Sequence, residues 1–266
     1  MIGSNIYITN RFTYGSIDPS FKAVLDLAKA NNILAPLPGT VVYESLNTMI
    51  KSYKTEGVWY EWDTYFQFMY NTPIIVRNFT EFSKIDWRRL VTGSYQGGLT
   101  FELGGTKGNG TNAFFNTNFT PSTQAQKYQV NNASRFIYAY ASGSLTSLDG
   151  GASGTNNNMT LTSSPNHRIN TTGSLNGSIV FTGAPAMKSI HRVSSTQVSG
   201  SNNGVFGVGR TTSAETLLPS QSQLIHRNAS NYGDNTIGMY AMGSHLVDKV
   251  AIINTIYNQY TASIGL

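Results

Sequence analysis

The sequence predicts a mainly β protein, an antiparallel sandwich preceded by a small α-helical N-terminal region and closed by a C-terminal helix. Three observations predict it. Composition breaks near residue 100: residues 1–102 hold nine Lys/Arg and nine Asp/Glu, whereas residues 103–266 hold nine Lys/Arg and four Asp/Glu among abundant Gly, Ser, Thr and Asn. In the second part, short apolar runs of period two alternate with turn residues, the pattern of short strands. Near both ends of the chain, apolar residues recur instead at every third or fourth position, the helical spacing.

Asp18-Pro19 opens the first helix, because Asp accepts from the orphan N-terminal amides and Pro is pre-set for the first helical position. Phe21, Val24, Leu25 and Ala28 follow on one face, and Asn31-Asn32 ends the element. Leu37-Pro38-Gly39 makes a turn, after which Thr40 starts a second helix with Val42, Leu46, Met49, Ile50 and Tyr53 on one stripe, closed by Gly57. The two are expected to pack as a hairpin. From Val58 to Tyr70 the chain is aromatic on nearly every side, which reads as a helix wedged between the hairpin and a sheet. Ile74-Ile75-Val76 reads as a short buried strand, and Asp86-Trp87-Arg88-Arg89 leads into the next part.

Beyond Leu90 the expected strands are Gly98–Glu102, Phe114–Phe119, Ser134–Tyr140, Met159–Thr162, Ser178–Phe181, Met187–Val193, Val205–Val208, Gln223–His226 and Ile237–Met242. Gly104-Gly105, Gly108-Asn109-Gly110, Asp149-Gly150-Gly151, Asn202-Asn203-Gly204 and Tyr232-Gly233-Asp234 supply turns. Such punctuation describes an antiparallel sandwich or jelly roll, in which Gly143–Asn158 would be a long exposed loop at one rim. Leu246, Val250, Ile253, Tyr257 and Tyr260 then form an amphipathic closing helix, laid on the sandwich or on a neighbour.

Charge and composition exclude several classes of function. The net charge of +5 comes from cations spread singly through residues 103–266, not clustered as in a nucleic-acid footprint, so no nucleic-acid partner is expected. With no cysteine, thiolate metal sites and cysteine nucleophiles are excluded. No run of about 18 apolar residues occurs and Met1–Asn10 lacks the marks of a cleaved signal, so neither membrane insertion nor export by a cleaved signal is expected.

Catalysis is not expected either. A glycosidase needs two carboxylates about 5 to 10 Å apart, and after Glu102 the chain offers only Asp149, Glu215, Asp234 and Asp248. Asp149 and Asp234 read as turn residues and Asp248 as a residue of the closing helix's first turn, which leaves Glu215 unpaired. Three of four histidines precede an arginine, at His167-Arg168, His191-Arg192 and His226-Arg227. In strands, each such pair would send one side chain in and one out. No zinc-binding helix motif, serine-nucleophile elbow or phosphate loop occurs, and no cofactor or metal is expected.

The stretch Phe114-Phe115-Asn116-Thr117-Asn118-Phe119-Thr120-Pro121-Ser122, followed by Lys127-Tyr128 and Asn131-Asn132-Ala133-Ser134, resembles the start of the concanavalin A-like, laminin-G-type sandwich of structural proteins in tailed bacteriophages. Gly207-Val208-Gly209-Arg210-Thr211, the Met239–Leu246 strand and the closing helix resemble the ending of that family, so the likeness covers most of residues 90–266. Leu37-Pro38-Gly39, Gly57-Val58-Trp59 and Asp86-Trp87 extend it over residues 20–90, in the style of crAss-like and related gut phages. The resemblance implies a virion protein, a head fibre or capsid decoration, with a tail fibre or polysaccharide depolymerase as the alternative. Residues 1–90 would be the attachment or oligomerisation region, through Trp59, Trp62, Phe66 and Trp87, and residues 91–266 the sandwich domain. Expected partners are other capsid or tail subunits, further copies of the chain (a trimer by analogy with fibres), and bacterial or mucin glycan stacked on Tyr138, Tyr140, Tyr232 and Tyr240. Concanavalin A-like lectins hold calcium with several Asp and Asn side chains, whereas the chain after Glu102 offers only four acids, so a calcium site is not expected.

Overall fold

The computed structural model describes residues 16–70, 79–145, 147–151, 157–160, 167–171 and 181–266. Its first two helices follow from their caps. Asp18 Oδ1 accepts from the amides of Ser20 at 2.8 Å and Phe21 at 3.4 Å and starts the helix Pro19–Ala30. Thr40 Oγ1 accepts from Tyr43 at 3.3 Å and starts Val41–Thr55. The expected hairpin forms, because Lys54 at the end of the second helix pairs with Asp18 at 2.7 Å and Asn47 accepts from the Asp18 amide at 2.8 Å.

The aromatic run is where the chain departs from helix. Val58–Glu61 is a single 3-10 turn, and Trp62–Gln67 is a β-strand that pairs antiparallel with Thr236–Gly243. A shift of register between Trp62 and Thr64 puts Trp62 and Tyr65 against the helices, while Phe66 and Phe68 enter the layer between the sheets. A strand covered on both faces needs large apolar groups on both, which is why the run lacks a polar side. Residues 1–90, expected as a separate helical region, therefore contribute a strand to the sandwich, and Ile85–Asp86 pairs with Val91–Thr92 across the expected boundary.

Two antiparallel sheets form the sandwich. The nine-stranded sheet runs Val205–Phe206, Gln197–Asn202, Ala186–Arg192, Ala133–Ala141, Thr236–Gly243, Gly105–Lys107, Thr100–Glu102, with Trp62–Gln67 also on Thr236–Gly243 and Arg210–Thr211 on Gln197–Asn202. The six-stranded sheet runs Arg168–Ile169, Asn157–Thr160, Ser147–Gly151, Gln223–Ile225, Phe114–Asn116, Ser94–Gln96. Along Ala133–Ala141, Phe136 and Tyr138 join the core beneath the helices, whereas Ile137 and Ala139 join Ile190, Phe115 and Tyr240 between the sheets. The molecule thus has three layers: helices, large sheet, small sheet. The closing helix Val250–Ser263 lies on the sandwich beside the second helix, with Tyr260 Oη donating to the Met69 carbonyl at 2.7 Å and Ser263 Oγ to Ser45 Oγ at 2.8 Å.

Most expected strands are present within a residue or two, and the mainly β class stands as expected. Two loop readings are corrected. Asp149-Gly150-Gly151 is not a turn but part of the buried strand Ser147–Gly151, and Asn157–Thr160 is buried strand as well, so Gly143–Asn158 is not one exposed loop. Gln197–Asn202, whose alternation is carried by Ser and Gly, is a strand with no sequence signal. The expected strand Ile74–Val76 and residues 178–180 of another lie outside the described residues.

Candidate functional site

The four tyrosines expected to stack on sugar are not brought together. Tyr240 is fully buried between the sheets and Tyr138 is buried under the helices, 4.6 Å ring to ring from Tyr257. Both are corrected as contact residues, since neither offers a ring face to a ligand. Tyr140, half-buried, packs on the helix-side core. Tyr232 is half-buried too, but packs against Phe114 and Arg227 on the outer side of the small sheet and not on the helix-side core. Trp59, Trp62, Phe66 and Trp87 are also corrected, because all four are buried in the cores and none can touch another subunit. Exposed apolar groups of the same region lie at Leu34, Leu37 and Val41 around the inter-helix turn, and at Tyr60.

The surface at Tyr232 is built by the small sheet. Phe115 points inward to the core, so its neighbour Phe114 points out, beside Gln96 across the ladder and two residues from Asn116. At the end of Gln223–Ile225 the buried His226 takes a left-handed conformation (φ 66°) with Nε2 at 3.1 Å from Thr106 Oγ1, and the chain turns off the strand. A short hairpin follows, Arg227–Asn228 pairing with Asn231–Tyr232. Arg227 Nε donates to the Ala229 carbonyl at 2.7 Å, while its guanidinium lies 4.8 Å from the Phe114 ring and 5.2 Å from the Tyr232 ring. The two rings are only 6.4 Å apart and inclined at 46°, so the guanidinium sits in a corner between them and not in a flat sandwich, and all three side chains are half-buried.

Loops lash the base of this hairpin into one rim. Asp234 accepts from Ser144 N at 2.9 Å, Ser144 Oγ at 2.8 Å and Leu145 N at 2.7 Å. Burial pushes its carboxyl up, but the donors from Leu145 and Ser144 outweigh that and hold it below the usual carboxylate range. Asn109 Oδ1 accepts from the amides of Thr111, Asn112 and Ala113 at 3.0, 3.0 and 2.9 Å. Asn235 accepts from Gly143 N and donates to the Leu145 carbonyl, each at 3.0 Å. Aromatic faces, amides and one cation on a preorganised, shallow surface can hold a polar, partly apolar ligand such as a sugar.

Other titratable groups are sealed inside. Arg135 and Asp149 form an ion pair between the sheets with both side chains fully buried. Burial outweighs the attraction of Arg135 and pushes the Asp149 carboxyl up to about 6. His191 Nε2 lies 2.8 Å from Ser189 Oγ, itself 2.9 Å from Ser201 Oγ, but all three are fully buried and burial holds His191 down to about 3. His191 and Arg192 are both buried, unlike the expected one in and one out, because both faces of their strand are covered. At His226-Arg227 the histidine is buried and the arginine half-buried, through the left-handed turn at His226 and not through strand alternation. Among the described residues no group of three or more His, Asp or Glu could hold a metal ion. A groove of about 310 Å³ between the second and closing helices is lined largely by Ser45, Thr48, Ser52 and Ser263 and holds no acid and base pair.

No protein-family model and no curated protein matches this chain. Solved structures do resemble it. Domain 4 of AbnA, a GH43 extracellular arabinanase from Geobacillus stearothermophilus, in complex with arabinotriose, is 13% identical with a TM-score of 0.51, over 73% of this chain and 98% of that one. Trypanosoma rangeli sialidase in complex with sialic acid is 10% identical with a TM-score of 0.51, over 82% of this chain and 39% of that one. The receptor binding domain of botulinum neurotoxin C/D mosaic serotype is 9% identical with a TM-score of 0.50, over 74% of this chain and 51% of that one. These likenesses define the class, an antiparallel β-sandwich, and at such identities they show the fold alone.

Proposed function

We propose that this chain is a non-enzymatic surface protein of a phage particle whose sandwich makes weak, multivalent contacts with glycan through the face around Tyr232. The observation that carries the glycan contact is the half-buried corner of Phe114, Arg227 and Tyr232 on a rim tied down by Asn109, Asp234 and Asn235. In support, the domain of AbnA that shares the fold along almost its whole length was solved with arabinotriose. The non-enzymatic reading is supported at three of the acids: Asp149 is sealed in the core, Asp234 is consumed by loop amides, and Glu102 is tied to Lys107 and Thr236. The particle role rests on the sequence resemblance, with the exposed Leu34, Leu37, Val41 and Tyr60 replacing the buried tryptophans as the docking surface. Many copies on one particle multiply weak sugar binding.

Screening the purified chain on bacterial capsular polysaccharides and mucin glycans tests the contact. Binding that Tyr232→Ala weakens at unchanged melting temperature supports the proposal; no binding on any glycan removes it. Labelling of intact particles with an antibody to this chain tests the location, and unlabelled particles would overturn it.

A further inference from the structure

We infer that the glycan held at this face carries a carboxylate, and that Arg227 is the residue that reads it. The inference rests on the glycan-contact reading above and adds the class of sugar, a uronic or other acidic residue. Arg227 has no carboxylate partner among the described residues, although Arg89 and Arg135 pair with acids and Arg192 is consumed by the carbonyls of Ile169 and Thr212. Only its Nε is used, on Ala229. The two terminal nitrogens remain, and they form the edge of the guanidinium that matches a carboxylate with two parallel hydrogen bonds.

The surroundings hold that edge in place. Phe114 and Tyr232 contact the guanidinium from two sides, and the Ala229 carbonyl fixes its orientation, so little side-chain freedom is left to lose on binding. A cation whose faces lie against rings is partly stripped of water, which strengthens its attraction for an anion over that of a freely hydrated lysine. Asp234, the nearest acid in sequence, is turned away into the amides of Ser144 and Leu145 and does not neutralise it. The rings beside the cation supply apolar faces for the sugar, and Gln96, opposite Phe114 on the ladder, and Asn116, two residues along, supply amides on the same side of the sheet.

Affinity electrophoresis and calorimetry of the full chain with polygalacturonate, alginate and hyaluronate, each against its carboxyl-reduced neutral form, test this. The wild type is expected to prefer at least one acidic polymer over its neutral form by about tenfold, with the preference shrinking as salt is raised. Arg227→Gln and Arg227→Lys are both expected to lose that preference, so that the acidic and neutral forms bind each variant equally, and near-UV circular dichroism verifies their fold. Tyr232→Ala is expected to weaken both forms. Equal binding of acidic and neutral forms by the wild type would overturn the inference and leave the glycan reading standing. An acid preference kept by Arg227→Lys would overturn the paired hydrogen bonds, and binding to neither form would overturn both readings.

Discussion

Arg135 and Asp149 meet between the two sheets, one from each, and neither side chain has any contact with solvent. Asp149 also accepts from the Met159 amide at 2.8 Å, while Nε and Nη1 of Arg135 have no hydrogen-bond partner among the described residues. Removing one member leaves the other charge buried alone. Arg135→Met should therefore cost about 3 to 5 kcal/mol, whereas Arg135→Met with Asp149→Leu should recover most of that loss. Urea unfolding of the two variants checks it; a single variant as stable as the double would show that the pair is not coupled.

Acid should destabilise the chain in a window set by its buried histidines. Burial lowers His191 and His226 from the ordinary 6.5 to about 3 in the folded state. Between those values the unfolded chain binds two protons that the folded chain refuses, so stability rises with pH through the window and is lost as pH falls. Asp149 opposes this, because its carboxyl is raised from 3.8 to about 6 and the folded chain there holds a proton that the unfolded chain releases. The net difference is near one proton, a slope on the order of 1 kcal/mol per pH unit between about pH 4 and 6. His226→Asn, which keeps a residue tolerant of positive φ, should flatten the slope, as urea midpoints across that range would show.

Trp62 is a core residue, not a docking one. Its ring stacks on Tyr65 at 5.2 Å and meets Tyr53 at 4.9 Å. Trp62→Ala should lower stability by about 3 to 5 kcal/mol through the cavity it leaves. Leu34→Ser and Leu37→Ser, at 55% and 65% exposure, should change stability by less than about 0.5 kcal/mol. Thermal melts of the three variants separate the two kinds of site.

Asp234 is predicted to act on the rim through order. Asp234→Ala removes the acceptor for two amides and one hydroxyl, so the amides of Ser144 and Leu145 should exchange with solvent at least about tenfold faster, with a stability loss of about 1 to 2 kcal/mol. Unchanged exchange at those two positions would show that the loop is held by other contacts.

Much of the fold is legible in the sequence because its signals are short-ranged. Asp18 and Thr40 cap their own helices, Gly57 (φ 76°) follows the second, and the alternation of Ser134–Tyr140 marks its strand, all within a few residues. The candidate site is far less legible. Phe114, Arg227 and Tyr232 come from different strands, and nothing local says that these two rings and a guanidinium would share one corner or that Tyr138 and Tyr240 would be covered.

By itself the sequence determined the antiparallel sandwich, its two leading helices, its closing helix and the shortage of acids, since caps, turns and periodicity act between near neighbours and composition needs no geometry at all. Only the tertiary structure decided that the aromatic run would be a strand, that Asp149 would be buried against Arg135, and that Tyr232 would meet Phe114 and Arg227. Each of those outcomes depends on which surface covers a residue, and the covering surface comes from segments distant along the chain.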